Sequence, residues 1–292
     1  MKTVVRLLAL FIVAQAIGIV VASGLLAGGA VSIAGGTYTL EDAFFMVVGF
    51  AFAVLLLLAI MRLYKGELLY KIMEFVILSS AGFVVFYGIG VYVGYGTYES
   101  VALALALALA KFIEPRVRNI TAVISSAGIA VMFAMFLSLT EAVIFVIIMS
   151  VYDYVAVFIT RHMVTMATEF GKRQLSFSIS SQEKVMRKVK VADAKGVKRT
   201  VIEEKIERLE LGTGDIALPL AFALVVFKTA VPHGFGPAVA SFIIISVFSA
   251  MALAIVLFYV RKRRLFLPAL PPIMLGTVVG CMIAYVSGIL II

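Results

Sequence analysis

Long runs without a charged side chain dominate this chain, and each is about as long as a membrane is thick. Roughly 20 apolar residues in a helix cover a ~30 Å hydrocarbon core at 1.5 Å per residue. Nine such segments are predicted, at Val4–Ala27, Ala43–Ile60, Ile72–Val93, Ser100–Ile113, Ile120–Leu137, Ala142–Phe158, Asp215–Val231, Ala238–Tyr259 and Pro272–Ile292. In lipid, backbone polar groups must be satisfied within the segment, which leaves helices or a closed barrel. The fourth segment contains VALALALALA (Val101–Ala110), an alternation that reads as strand in water, yet no other segment supplies strands for a barrel. An all-α polytopic membrane protein is therefore expected.

Composition agrees: 63% of the 292 residues are hydrophobic and 14% charged, against roughly 25% charged in soluble domains. The 25 Lys and Arg outnumber the 16 Asp and Glu, a balance that elsewhere points to nucleic acid. Here the basic residues form short runs between apolar blocks, the pattern of membrane-flanking charge, so the expected surroundings are a lipid bilayer and not nucleic acid. The single Cys281 gives no disulfide framework and no thiolate cluster.

The charges also orient the chain. Lys2 and Arg6 precede the first segment; Arg62, Lys65 and Lys71 follow the second; Lys111, Arg116 and Arg118 follow the fourth. Twelve more lie between Arg161 and Arg208, and four at Arg261–Arg264, so of 25 basic residues all but Lys228 fall on alternate connections. The positive-inside rule then places the amino terminus in the cytoplasm and the carboxyl terminus outside, in a multi-pass protein expected in the cell membrane. The first apolar run, about 20 residues, exceeds a typical 7–15-residue signal-peptide core and reads as a retained helix; its cleavage would leave eight spans. Three units follow: residues 1–160 with six helices, 161–210 as a cytoplasmic polar loop, and 211–292 with three helices. The loop is mixed in charge, and Glu183–Glu210 is expected to hold helical pieces resting on anionic headgroups.

Fourteen acids lie at segment ends or in the polar loop; Asp153 and Asp215 remain, both within apolar segments. A carboxylate at a helix centre costs about 2.5–3.5 kcal/mol on insertion scales. No Lys, Arg or His lies deep enough in a segment to pair with them. A buried, hydrogen-bonded neutral acid is one explanation, but the matched depth of the two suggests another. Asp153 stands eight residues before Arg161, about 12 Å along a helix, and Asp215 seven past Arg208, at most about 10 Å in. Two facing carboxyls share a proton and titrate as a pair. One can then act as base toward water while the other protonates a carbonyl oxygen, a hydrolysis that needs no metal and no cofactor. Other protease solutions are missing: there is no HExxH or GxSxG, and His162 and His233 fall at opposite faces.

Gly212 and Gly214 flank Thr213 just before Asp215. They permit close approach and unusual dihedrals, although two glycines at a loop-to-helix junction are also ordinary. LFLPALPPI (Leu265–Ile273) holds Pro268, Pro271 and Pro272. Prolines remove donors and disfavour helix before them, so Pro268–Leu270 is expected to be extended, with the helix starting near Pro272; helix-start proline is the plainer reading.

Tyr152-Asp153, Gly212-Thr213-Gly214-Asp215 and Pro268-Ala269-Leu270 together resemble the YD, GxGD and PAL motifs of presenilins and signal peptide peptidases, in the same order and segments. The plan is most similar to compact prokaryotic, archaeal-type presenilin homologues. The resemblance implies a presenilin-like fold and an intramembrane aspartyl endopeptidase with Asp153 and Asp215 as the catalytic pair. It implies that Tyr152 sits beside the cleft and that Gly212 and Gly214 shape the approach. Pro268, Ala269 and Leu270 would line the site and help hold an unwound, single-span transmembrane substrate. Thr213 departs from the bulkier apolar residue that relatives often carry, which bears on substrate preference. Presenilins keep the large loop cytoplasmic whereas signal peptide peptidases are inverted, and the charge pattern here matches presenilins. Two other readings stay open: a prepilin or preflagellin peptidase of GxGD type, and an ion channel or transporter using membrane carboxylates.

Overall fold

The computed structural model describes residues 2–29, 67–114, 117–159, 178–192, 198–263 and 269–290. Eight α-helices occupy them: α1 (Lys2–Ala27), α2 (Glu67–Val93), α3 (Thr97–Ile113), α4 (Arg118–Phe136), α5 (Leu139–Tyr154), α6 (Thr213–Ala230), α7 (Phe235–Arg263) and α8 (Leu270–Val286). They coincide with eight of the nine expected segments, and the segment Ala43–Ile60 lies outside the described residues. Among the described residues six helices are long and apolar enough to cross a membrane: α1, α2, α4, α5 with the π-helical turn Val155–Ile159, α6 with the 3₁₀ turn Val231–His233, and α7. The spanning part is all helical. The last helix differs from expectation, starting at Leu270 and stopping at Val286, after which the chain turns at Gly288 (φ 70°).

The alternating segment is helical because alternation at period 2 also repeats at period 4. Ser100, Ala104 and Ala108 fall one helical turn apart and are buried, while Leu103, Leu105 and Leu109 face outward. The small stripe packs on α2. Small residues serve this purpose because lipid tails are as apolar as leucine, so helices associate through close contact and not through release of water. Glu99 caps the start of α3, its Oε2 accepting from Gly96 N at 3.0 Å.

The same device recurs elsewhere. A Cβ at Gly24 would stand 2.1 Å from Gly88 O, locking α1 against α2, and one at Gly128 would stand 2.2 Å from Ala81 O, locking α4 against α2. α6 is the central post: 67% of its apolar window is buried, against 28–56% in the other five long helices. It touches α1, α4, α5, α7 and α8.

Glu183–Glu210 corrects an expectation. Instead of helical pieces, the chain forms an antiparallel hairpin of β1 (Ser178–Ala192) and β2 (Lys198–Gly212), in register from Ser178 opposite Gly212 to Ala192 opposite Lys198. Its root is buried: Ile179 and Leu211 join Val4, Leu7 and Phe11 of α1, Ala122 and Val123 of α4, and Ile216 of α6 in one cluster. The hairpin is thus anchored at the end of the bundle where α1 begins, and β2 runs directly into α6.

Gly128→Ala is expected to lose about 1–3 kcal/mol of stability through overpacking against Ala81. Gly236→Ala, with nothing within 4 Å of the added Cβ, is expected to lose none. Thermal unfolding of the two purified variants in detergent checks this.

Candidate active site

α5 delivers Asp153 one residue before its regular geometry ends. Past Tyr154 the chain widens into the π-helical turn Val155–Ile159, with Val155 N donating to the Tyr152 and Val151 carbonyls. Asp153 is buried at 7% exposure. Its Oδ2 accepts from Leu270 N at 3.2 Å, which ties α5 to the start of α8.

α6 delivers Asp215 from the other side. Gly212 ends β2 and is also the N-cap of α6, with φ −63° and ψ 144°, so Thr213, Gly214 and Asp215 are the first three helical residues. An acid in the third position commonly reaches back to the N-cap backbone, and Asp215 engages Gly212 in this way. Ordinary capping would account for Asp215 alone. What capping does not account for is the second acid: Asp153 is the charged neighbour of Asp215 across the α5–α6 contact. Among the described residues no cationic side chain neutralises either carboxyl.

The other motif residues are arranged around this pair. Tyr152 is half-buried, with Asp153 as its charged neighbour. Neither Gly212 nor Gly214 uses a positive φ, so unusual dihedrals are not what glycine supplies here. Space is: a Cβ at Gly212 would meet Asp215 Oδ2 at 3.2 Å, while Gly214 is exposed with nothing within 4 Å. Thr213 is half-buried beside them.

Ala269 and Leu270 do not form the expected extended segment. Ala269 is the α8 N-cap with φ −83° and ψ −30°, and Leu270 is the first helical residue. Prolines fit the first helical turn because its N–H groups have no intrahelical acceptor, so Pro271 and Pro272 continue the helix without loss. Leu270, which precedes a proline and would prefer extended backbone, has its own N–H taken by Asp153. Leu270 is 3% exposed and Ala269 packs against the hairpin-root cluster. Pro268 lies outside the described residues.

Two features lie outside the motifs. The π turn after Asp153 has no signature in its sequence Val155-Ala156-Val157-Phe158-Ile159. Pro219 does: it lies four residues past Asp215 inside α6, and lacking an N–H it cannot close the helical hydrogen bond to the Asp215 carbonyl. The first turn of α6 is therefore less tightly bound to the rest of the helix.

The family profile described as signal-peptide peptidase, presenilin aspartyl protease matches residues 8–289. A solved presenilin family intramembrane aspartate protease, crystallised in space group C222, superposes with TM-score 0.66 at 18% identity, over 97% of this chain and 99% of that one. A P2 crystal structure of a presenilin family intramembrane aspartate protease gives 0.63 at 19% identity, over 96% of each chain. At these identities the likeness carries the fold. Comparison with curated proteins gives no match. A prepilin-type peptidase and an ion carrier are not favoured by these findings. The chain belongs to the signal-peptide peptidase and presenilin family and is an intramembrane aspartyl endopeptidase.

Proposed function

We propose that Asp153 and Asp215 are the catalytic pair and that the substrate is a single-span transmembrane protein or peptide. The observation that carries this reading is the meeting of two acids from separate apolar helices with no cationic partner among the described residues. One carboxylate takes a proton from water as the oxygen attacks the scissile carbonyl carbon. The other carboxylic acid protonates the carbonyl oxygen, giving a neutral gem-diol. Collapse of the diol breaks the C–N bond, with a proton delivered to the departing amine, and the pair is left again with one proton between them.

Tyr152, Gly212, Thr213, Gly214, Pro268, Ala269 and Leu270 support this chemistry by shaping the cleft. The open space at Gly214 suits close approach by substrate backbone. A helical peptide bond is shielded by its own turn, so the substrate is unwound before cleavage, and an extended segment is held through main-chain hydrogen bonds. Nine crossings, with residues 1–160 and 211–292 in the membrane and 161–210 as a cytoplasmic unit, accommodate every apolar segment and agree with the basic-residue alternation. The amino terminus is then cytoplasmic, the acids lie in the cytoplasmic third, and preferred substrates have their amino ends outside.

Purified protein and a single-span substrate in liposomes test the assignment. Asp153→Asn and Asp215→Asn are each expected to lower kcat by about 10³-fold or more, with the double variant no worse than either single one, because residues that act as a unit are not additive. Parental activity in either single variant refutes the pair. Mass spectrometry of the products is expected to place the cut within the membrane, on the cytoplasmic side of its centre. Gly212→Ala, whose Cβ presses on the Asp215 carboxyl, is expected to lower kcat about tenfold with unchanged thermal stability, since even an ångström of misplacement costs about 100-fold.

A further inference from the structure

Lys228 is the one basic residue that the charge alternation leaves on the extracytoplasmic side. It stands in the last turn of α6, where a long cationic side chain ordinarily extends to water. Here it turns inward and is half-buried. Its Nζ donates to Ala134 O at 2.8 Å, Met135 O at 3.2 Å and Leu137 O at 2.7 Å.

An ammonium has three protons and no acceptor, so these three carbonyls satisfy it fully. The acceptors are also those that most need a donor, because the last carbonyls of a helix have no intrahelical partner and carry its negative end. α4 ends at Phe136, and its C-cap Leu137 leads through Ser138 straight into α5. The first turn of α5 supplies Glu141, which is buried, caps its own helix by accepting from Ser138 N at 2.7 Å, and acts electrostatically on Lys228. One ammonium thus fastens the end of α6 to the α4–α5 corner, between the carbonyls of one helix and the acid of the next.

We propose that Lys228 is a positioning residue for the two-acid reaction, fixing the axial register of α6 against α5 from the end opposite the acids. The inference rests on the assignment of Asp153 and Asp215 as the catalytic pair. Lys228 lies thirteen residues past Asp215, and Glu141 twelve before Asp153, which are about 20 Å and 18 Å along their helices. The two rods therefore carry a pin at one end and an acid at the other, at nearly equal reach. A slip of α6 by a single residue moves Asp215 by about 1.5 Å and rotates it by about 100°, far beyond what a proton-sharing pair accommodates. The pin matters because the acid end is the weaker one: Pro219 leaves the first turn of α6 without its full set of helical bonds.

Lys228→Met removes the cation and keeps the length of the stem. It is expected to lower kcat at least tenfold with KM within about twofold, in keeping with the cost of misplacement. Lys228→Arg is expected to recover at least half of parental kcat. An independent readout places cysteines at positions 153 and 215 in a Cys281→Ser background and measures the rate of linkage by a short thiol-directed crosslinker, which is expected to fall several-fold when Lys228→Met is added. Parental kcat and parental crosslinking in Lys228→Met overturn the proposal. Where Lys228→Met does not give folded protein, Glu141→Gln replaces it, since Gln in the third helical position keeps the capping box and removes only the charge. A fall in kcat and crosslinking in folded Glu141→Gln supports the pin, and unchanged values overturn it. Failure of the catalytic pair itself reads differently, as activity surviving in Asp153→Asn or Asp215→Asn.

Discussion

A carboxyl group inside hydrocarbon has to be met by something, and in this protein the elements that meet it define the candidate active-site end of the molecule. Asp153 is buried on α5, accepts from the first N–H of α8 and has Asp215 of α6 as its charged neighbour. Each such acid costs about 2.5–3.5 kcal/mol on insertion scales, a sizeable share of the roughly 5–15 kcal/mol by which proteins are stable. One hydrogen bond to Asp153 joins two helices distant in sequence, and α6 brings the second acid beside it. The meeting of α5, α6 and α8 around Asp153 also assembles the candidate active site.

Holding three helices together in lipid cannot rely on the release of water from apolar surface. The protein relies instead on backbone proximity, through Gly24 against Gly88, Gly128 against Ala81 and the Ser100, Ala104 and Ala108 stripe, and on a few polar ties. Ser249 and Thr277 share a hydrogen bond at 2.8 Å between α7 and α8, and Ser246 donates to Gln15 across α7 and α1 at 3.1 Å. Glu74 and Lys111 form a buried ion pair between α2 and α3. These ties all join helices other than α6, the central one, which carries Asp215.

Sequence made the helices legible because membrane-length apolar runs allow so few solutions, and it made the acids legible because they violate those runs. Geometry around the acids was less legible, for reasons that can be named. Counting Asp215 inward from Arg208 assumes helix, whereas the chain there is strand up to Gly212. The hairpin was readable in principle from the alternation Lys188-Val189-Lys190-Val191, from the β-branched Thr200-Val201-Ile202, and from turn-forming residue types in Asp193-Ala194-Lys195-Gly196. Mixed charge with scattered apolar residues suits a helix lying on a membrane equally well, and pairing between strands is non-local information that a single segment does not carry. The start of α8 was misjudged because pre-proline preference acts on Leu270 as an isolated residue, while its N–H has a long-range partner in Asp153. Tertiary hydrogen bonding prevailed over local propensity at a position adjoining the candidate active site.

The irregular backbone around the acids bears on how a hydrolase obtains its second substrate inside a membrane. β2 ends at Gly212 beside Asp215, a π turn follows Asp153, Pro219 leaves the Asp215 carbonyl without a helical donor, and Pro271 and Pro272 bring no N–H to the start of α8. Regular helix continuing through Gly212, Val155 or Pro219 would have saturated its own hydrogen bonds, whereas Pro271 and Pro272 stand where a first turn has none to lose. Departures from helix at membrane depth are tolerated only where protein or water supplies the missing partners, and these departures surround the two carboxyls. The small residues Gly212, Thr213 and Gly214 stand beside Asp215, and Gly214 is exposed with nothing within 4 Å of an added Cβ, room that the proposed hydrolysis requires for water. The features that make this end of α6 a poor membrane helix are therefore the ones that the proposed hydrolysis needs beside its acids.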